Sequence, residues 1–233
     1  MAEYTFGNVG TARSTTTLTT LSPGIPTGTV AGDVLFLVTK GQTNAAGLEW
    51  SVPGGWTEIG ETVAGESTGI QKYGGMQLWY KTAGSSESAP SVEMIGGIGT
   101  GIYRQWATFI LRYTPTSPDL VFDFVVECVD YSSATSFTSQ TVTASRTATT
   151  VLFAAQAGVG GTVNASNDQG FTSQYINTGT PAFRLWDKPT SVGTVNLPDL
   201  NTPTYEWMVK TFSFDRTVPP VAGDQWGMNV VRW

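Results

Sequence analysis

The sequence predicts an all-β protein, a two-sheet β-sandwich of jelly-roll type with an internal two-fold echo. Helical 3.6-residue periodicity is nearly absent, and the apolar stretches are short and rich in β-branched and aromatic residues. Gly, Pro, Asn and Asp punctuate those stretches at short intervals, the spacing of strands joined by tight turns. With 233 residues, one large sandwich and two closely packed domains both fit.

Residues 1–28 form a Gly- and Thr-rich lead-in. Pro23 and Pro26 have no amide hydrogen for a sheet ladder, so the lead-in reads as part strand, over 11–21, and part arm. The sandwich body spans 29–215. Its first strands are expected at 33–40, 56–61, 76–82, 91–94, 103–114 and 119–128. Further strands are expected at 136–145, 149–156, 171–175, 182–188 and 204–215. Pro219 and Pro220 then stiffen a spacer that opens a C-terminal arm, residues 216–233. The arm ends in Trp226, Met228, Val230, Val231 and Trp233, too apolar for a solvated tail. It reads either as a docking element or as a last strand, over 227–233, folded back on its own sandwich.

The body repeats itself in outline, with half-repeats at about 29–115 and 147–215. Val34-Leu35-Phe36 is answered by Val151-Leu152-Phe153, and Gly55-Trp56-Thr57 by Gly170-Phe171-Thr172. Leu78-Trp79-Tyr80-Lys81 is answered by Leu185-Trp186-Asp187-Lys188, and Trp106 to Tyr113 by Trp207 to Phe214. The intervals shorten steadily along the chain, as they would if the second copy had shorter loops. Within the third pair the strand alternation is kept: Gln77, Trp79 and Lys81 share one face, and Arg184, Trp186 and Lys188 share the matching one.

Charged residues make up 13% of the chain and the net charge is −6, which leaves no basic stripe to neutralise phosphates. Nucleic acid and membrane surfaces are not expected partners. The first residues lack a basic segment followed by an apolar one, so the protein is expected to be made in the cytoplasm without a standard export signal. Cys128, the single cysteine, lies in apolar strand register and reads as a small buried hydrophobe.

The chain contains no histidine, which removes His-based triads, imidazole metal sites and the usual neutral-pH proton shuttle. The Gly-rich run Gly96 to Gly101 lacks the strand-to-helix context of a nucleotide loop. Asp119, Asp123 and Glu127 share a strand face, but neighbours four apart lie about 13 Å from each other at roughly 3.3 Å per residue. Glycosidase carboxylate pairs stand ~5 to 9.5 Å apart, so this set reads as a solvated face. No catalytic residue, cofactor or metal site is assigned. The segments 164–168 and 199–201 carry oxygen ligands of the kind a hard cation takes, without the twelve-residue loop signature, and read first as hydroxyl-capped turns. Five tryptophans fall on echoed strand positions and read as core; Trp50, Trp226 and Trp233 do not. Trp50 is therefore the candidate glycan contact.

The series Ala31-Gly32-Asp33-Val34-Leu35-Phe36, Pro53-Gly54-Gly55-Trp56-Thr57, Leu78-Trp79-Tyr80-Lys81 and Trp106-Ala107-Thr108-Phe109 resembles a β-sandwich module of tailed-bacteriophage virion proteins. Residues 149–158 and Tyr205-Glu206-Trp207 resemble its second half. The likeness implies a non-enzymatic virion accessory protein, head decoration before tail or fibre. Its partners would be the major capsid protein or tail components and its own copies, with Trp226, Met228, Val230, Val231 and Trp233 as anchors. The alternative is a carbohydrate-binding module contacting host glycans.

Overall fold

The computed structural model describes residues 4–51, 53–67, 72–97, 104–117, 121–123, 129–132, 137, 140–144, 150–157, 163–179, 181–190, 193–200 and 207–217. Its strands run, in chain order, β1 (Tyr4–Val9), β2 (Arg13–Thr15), β3 (Thr20–Leu21), β4 (Val34–Thr43), β5 (Thr57–Ser67) and β6 (Lys72–Thr82). Next come β7 (Val92–Glu93), β8 (Arg104–Pro115), β9 (Val121–Asp123), β10 (Val129–Ser132), β11 (Thr141–Ala144) and β12 (Thr150–Ala157). The last are β13 (Ala165–Asn167), β14 (Thr172–Asn177), β15 (Phe183–Pro189), β16 (Gly193–Asn196), β17 (Asp199–Leu200) and β18 (Trp207–Thr217). The protein is all-β; among the described residues no helix is long and apolar enough to cross a membrane.

Two six-stranded antiparallel sheets carry the fold. The first has the order β1-β8-β4-β6-β5 with β2 also on β8, and the second has the order β10-β18-β12-β15-β14 with β9 also on β18. The first ends at Pro115 and the second begins at Val121, so the described strands do not alternate between sheets as those of a jelly roll do. The lead-in is no free arm: β1 and β2 lie on β8, β3 pairs with β7, and the Trp106 indole donates to the Leu18 carbonyl.

Alternation divides each sheet between two cores. Val34, Phe36, Val38, Leu78, Phe109, Leu111 and Tyr113 point to one side and meet Leu152, Ala154, Phe183, Leu185, Phe212 and Phe214 of the second sheet. Phe36 lies 5.3 Å from Phe212 and 5.2 Å from Phe214 between ring centroids, and Phe109 lies 5.2 Å from Phe183. Such tilted pairs add about 0.5–1.5 kcal/mol each beyond the area they bury. Leu35, Leu37, Trp79, Trp106 and Ile110 point the other way, under a cover of Leu21, Leu48, Trp50, Trp56, Val92 and Met94. On the far side of the second sheet, Val151, Phe153, Trp186 and Val209 lie under Val142, Val163, Phe171, Val195 and Leu200. With both faces of both sheets covered, β4 and β12 are buried along their whole length, and this is why they read as unbroken apolar runs.

The four matched segments stand at the same rank in the two sheets: β8 and β18, β4 and β12, β6 and β15, β5 and β14. Register corrects one match. Leu35 pairs with Lys81 and Arg112, and Val151 pairs with Lys188 and Ser213. Val151 thus stands where Leu35 does, one residue on from the Val34 that sequence identity suggested. A shift of one residue exchanges the two faces of a strand, so Phe36 and Leu152 share the central core while Leu37 and Phe153 face outward.

Candidate functional site

Three groups with displaced protonation, Lys40, Tyr113 and Asp187, lie at the seam between the sheets. Lys40 shares the parity of Phe36 and Val38, and its ammonium crosses from β4 to donate to Asn177 Oδ1 at 3.1 Å, to the Gly179 carbonyl at 3.2 Å and to the Pro181 carbonyl. Burial without an opposing carboxylate lowers its pKa to about 7. Tyr113 of β8 donates to Asp187 Oδ2 of β15 at 2.9 Å, and Gln174 donates to Oδ1 at 2.8 Å. Burial raises Asp187, against the pull of those two hydrogen bonds; burial and then the Asp187 charge raise Tyr113 well above the ordinary phenol value. Gln156 of β12 completes the seam by donating to the Gly41 carbonyl at 3.0 Å. These side chains tie one sheet to the other and are closed to a substrate.

An accessible polar site lies on the outer side of the second sheet, beside the edge formed by β14. There a cleft of about 300 Å3 is lined by Ala165, Ser166, Asn167, Asp168, Ser173, Arg184 and Trp186. Its floor comes from strand alternation: Arg184 and Trp186 are two apart on β15, so both point outward, and the guanidinium lies 4.8 Å from the indole ring. Ser173, beside them on β14, accepts from Arg184 Nε at 2.8 Å. One wall is the turn from β13 into β14. Asn167 Oδ1 accepts from the Gln169 amide at 3.1 Å, and Asp168 Oδ1 from the Gly170 amide at 3.2 Å. Gln169 and Gly170 take positive φ values of 53° and 78°. The second segment of oxygen ligands also arrives here, since β13 pairs with β17 and Ser166 Oγ donates to the Asp199 carbonyl at 3.2 Å.

The residues singled out in the sequence fare differently. The described parts of segments 164–168 and 199–201 are brought together where Asn167 pairs with Asp199, yet no group of three candidate metal ligands forms among the described residues; Asn201 lies outside them. Trp50, the candidate glycan contact, is 3% exposed and stacks near Trp106 at 6.4 Å, so its ring offers no face to a sugar. This is a correction, and its cause is the Trp50–Met94 bridge that folds the 44–51 segment over the first sheet. Asp123 lies in β9, opposite Asp215 of β18; Asp119, Glu127 and Cys128 lie outside the described residues. So do Trp226, Met228, Val230, Val231 and Trp233. Arg184, Ser173 and Trp186 were not singled out as a site. The available signal was the outward parity shared by Arg184 and Trp186, next to an Asn-Asp-Gln-Gly turn.

Compared with protein-family models, curated proteins and solved structures, the chain matches none of them.

Proposed function

We propose that the chain is a non-catalytic structural accessory protein of a bacteriophage virion, a head decoration protein in preference to a tail or fibre component. Its body is a sandwich of two related units, each a sheet with its own cover. One observation carries the reading: the framework residues that resemble virion sandwich modules recur as the same local construction in each half. Trp56 donates its amide to the Pro53 carbonyl at 3.2 Å across Gly55 (φ 79°), and Phe171 donates to the Asp168 carbonyl at 2.9 Å across Gly170 (φ 78°). The Lys81 ammonium then stands 5.7 Å over the Trp56 ring, and Lys188 stands 5.5 Å over Phe171.

A body covered on both faces of each sheet keeps its strand edges, loops and termini for partners, here the major capsid protein or tail components and copies of itself. In this reading the mechanism is surface complementarity, with the C-terminal arm as anchor. Because β18 runs to Thr217, the first two residues of the expected arm, 216 and 217, belong to the strand. Mass spectrometry and immunogold labelling of particles from a phage encoding the chain test the assignment; its absence from purified particles would overturn it. A chain lacking residues 218–233 should fold and stay soluble but fail to join the particle. If it unfolds instead, the arm belongs to the body.

A further inference from the structure

We propose that the cleft over Arg184 and Trp186 is a saccharide-binding site that takes one neutral sugar unit of a glycan. The inference holds wherever the protein sits in a particle, and it replaces Trp50 with a different set of residues.

The side chains are already fixed by bonds that spend only part of their capacity. Arg184 is held at Nε by Ser173 and on one face by Trp186, which leaves its terminal nitrogens as donors. Asp168 uses Oδ1 on the Gly170 amide and keeps Oδ2 as an acceptor; Asn167 uses Oδ1 on the Gln169 amide and keeps its Nδ2 as a donor. Ser166 donates to Asp199 and keeps its oxygen lone pairs. Donors and acceptors thus alternate around one cleft, on side chains whose ordering cost is already met within the fold.

That lining selects by charge. A free anion meets the Asp168 carboxylate, a free cation meets Arg184, and an apolar group meets a polar wall. Vicinal hydroxyls, each both donor and acceptor, match the alternation. A volume of about 300 Å3 is at the small end of ligand sites, enough for one ring rather than a long chain.

The experiment is a glycan array probed with the full chain, followed by titration of the methyl glycoside of the best-bound terminal sugar, monitored by NMR. Selective binding of a neutral sugar should weaken about tenfold or more in Arg184→Ala and again in Asp168→Asn. Arg184 is part-exposed on the sheet and Asp168 is exposed in the turn, so unfolding midpoints should hold; if Arg184→Ala loses its fold, Asp168→Asn and Ser166→Ala carry the test. The proposal is overturned if no neutral glycan binds, or if binding is unchanged in Asp168→Asn and Ser166→Ala.

Discussion

The outer faces of the two sheets start from matching positions and end differently. In the first, Gln77 occupies the place that Arg184 holds in the second, and each bonds to its neighbour on the edge strand: Gln77 donates to Glu58 Oε1 at 2.6 Å, Arg184 to Ser173 Oγ at 2.8 Å. Trp79 and Trp186 lie alongside. Over Trp79 and Trp106 the cover includes Trp50, Trp56 and Met94 in one buried cluster, and Gln77 beside them is fully buried. Over Trp186 the cover includes the two-stranded sheets β11–β16 and β13–β17, and Arg184 remains part-exposed in an open cleft. One framework therefore makes a closed wall or a site, depending on the loops laid over it and on one side chain per strand.

The largest effect that tests this comparison is removal of the indoles. Trp79→Ala and Trp186→Ala should each cost about 3–5 kcal/mol, Trp79 the more, because its surroundings are closed on every side while the cleft lets Trp186's neighbours relax. Chemical denaturation of both variants checks it. Equal losses would mean that the open cover packs as tightly as the sealed one. Because the central core joins the sheets, unfolding should remain a single transition. Two transitions, each sensitive to one substitution, would separate the units.

Exchanging the paired side chains sharpens the contrast. Gln77→Arg places a guanidinium in a site with no solvent exposure and should cost ~2 kcal/mol or more. Arg184→Gln should change stability by less than about 0.5 kcal/mol. Comparable losses at both positions would break the distinction between wall and site.

The seam should give a pH signature. Because the folded pKa of Lys40 is lowered to about 7 from 10.5, the folded state binds fewer protons than the unfolded chain across that window. Stability should then rise with pH between about 7 and 10, by at most about 1.4 kcal/mol per unit. The raised Tyr113 works in the opposite direction once its unfolded counterpart ionises near 10. Melting curves of wild type and Lys40→Met across this range check it, and an identical slope in the variant would rule Lys40 out as the source.

The two turns test the match itself. Gly55→Ala and Gly170→Ala put a Cβ at φ values of 79° and 78°, where an L-residue costs roughly 1–2 kcal/mol. Matching losses in thermal unfolding would mark the turns as equivalent; a loss in only one would mark them as independent solutions.

Long elements were legible in the sequence because pattern and burial agree in them. β4, β6, β8, β12, β15 and β18 each coincide with an expected strand, and their aromatic residues lie where alternation put them. β1 was missed because Tyr4, Phe6 and Val9 are interleaved with Gly and Asn, and their burial comes from β8 and the far sheet rather than from a local apolar run. Of the short strands over the second sheet, β11 falls within the strand expected over 136–145, while β13, β16 and β17 have two to four residues each, too short for a period to show. Identity of Val34-Leu35-Phe36 with Val151-Leu152-Phe153 misled by one residue, because branched and aromatic side chains suit either face of a strand buried on both. The cleft was half legible. Its turn segment was noted for its oxygen atoms, while Arg184 and Ser173 gain meaning only once β14 and β15 lie side by side.

Assigning one half of the chain to each sheet makes the molecule divisible. Among the described residues, a cut between β8 and β9 would break no ladder, and would leave each fragment with its own cover and one apolar face that packs on the other's. Separately expressed fragments should then recombine into the intact fold on mixing, with Lys40 and Tyr113 returning to their acceptors on the second fragment. If they do, the link between β8 and β9 fixes stoichiometry rather than shape.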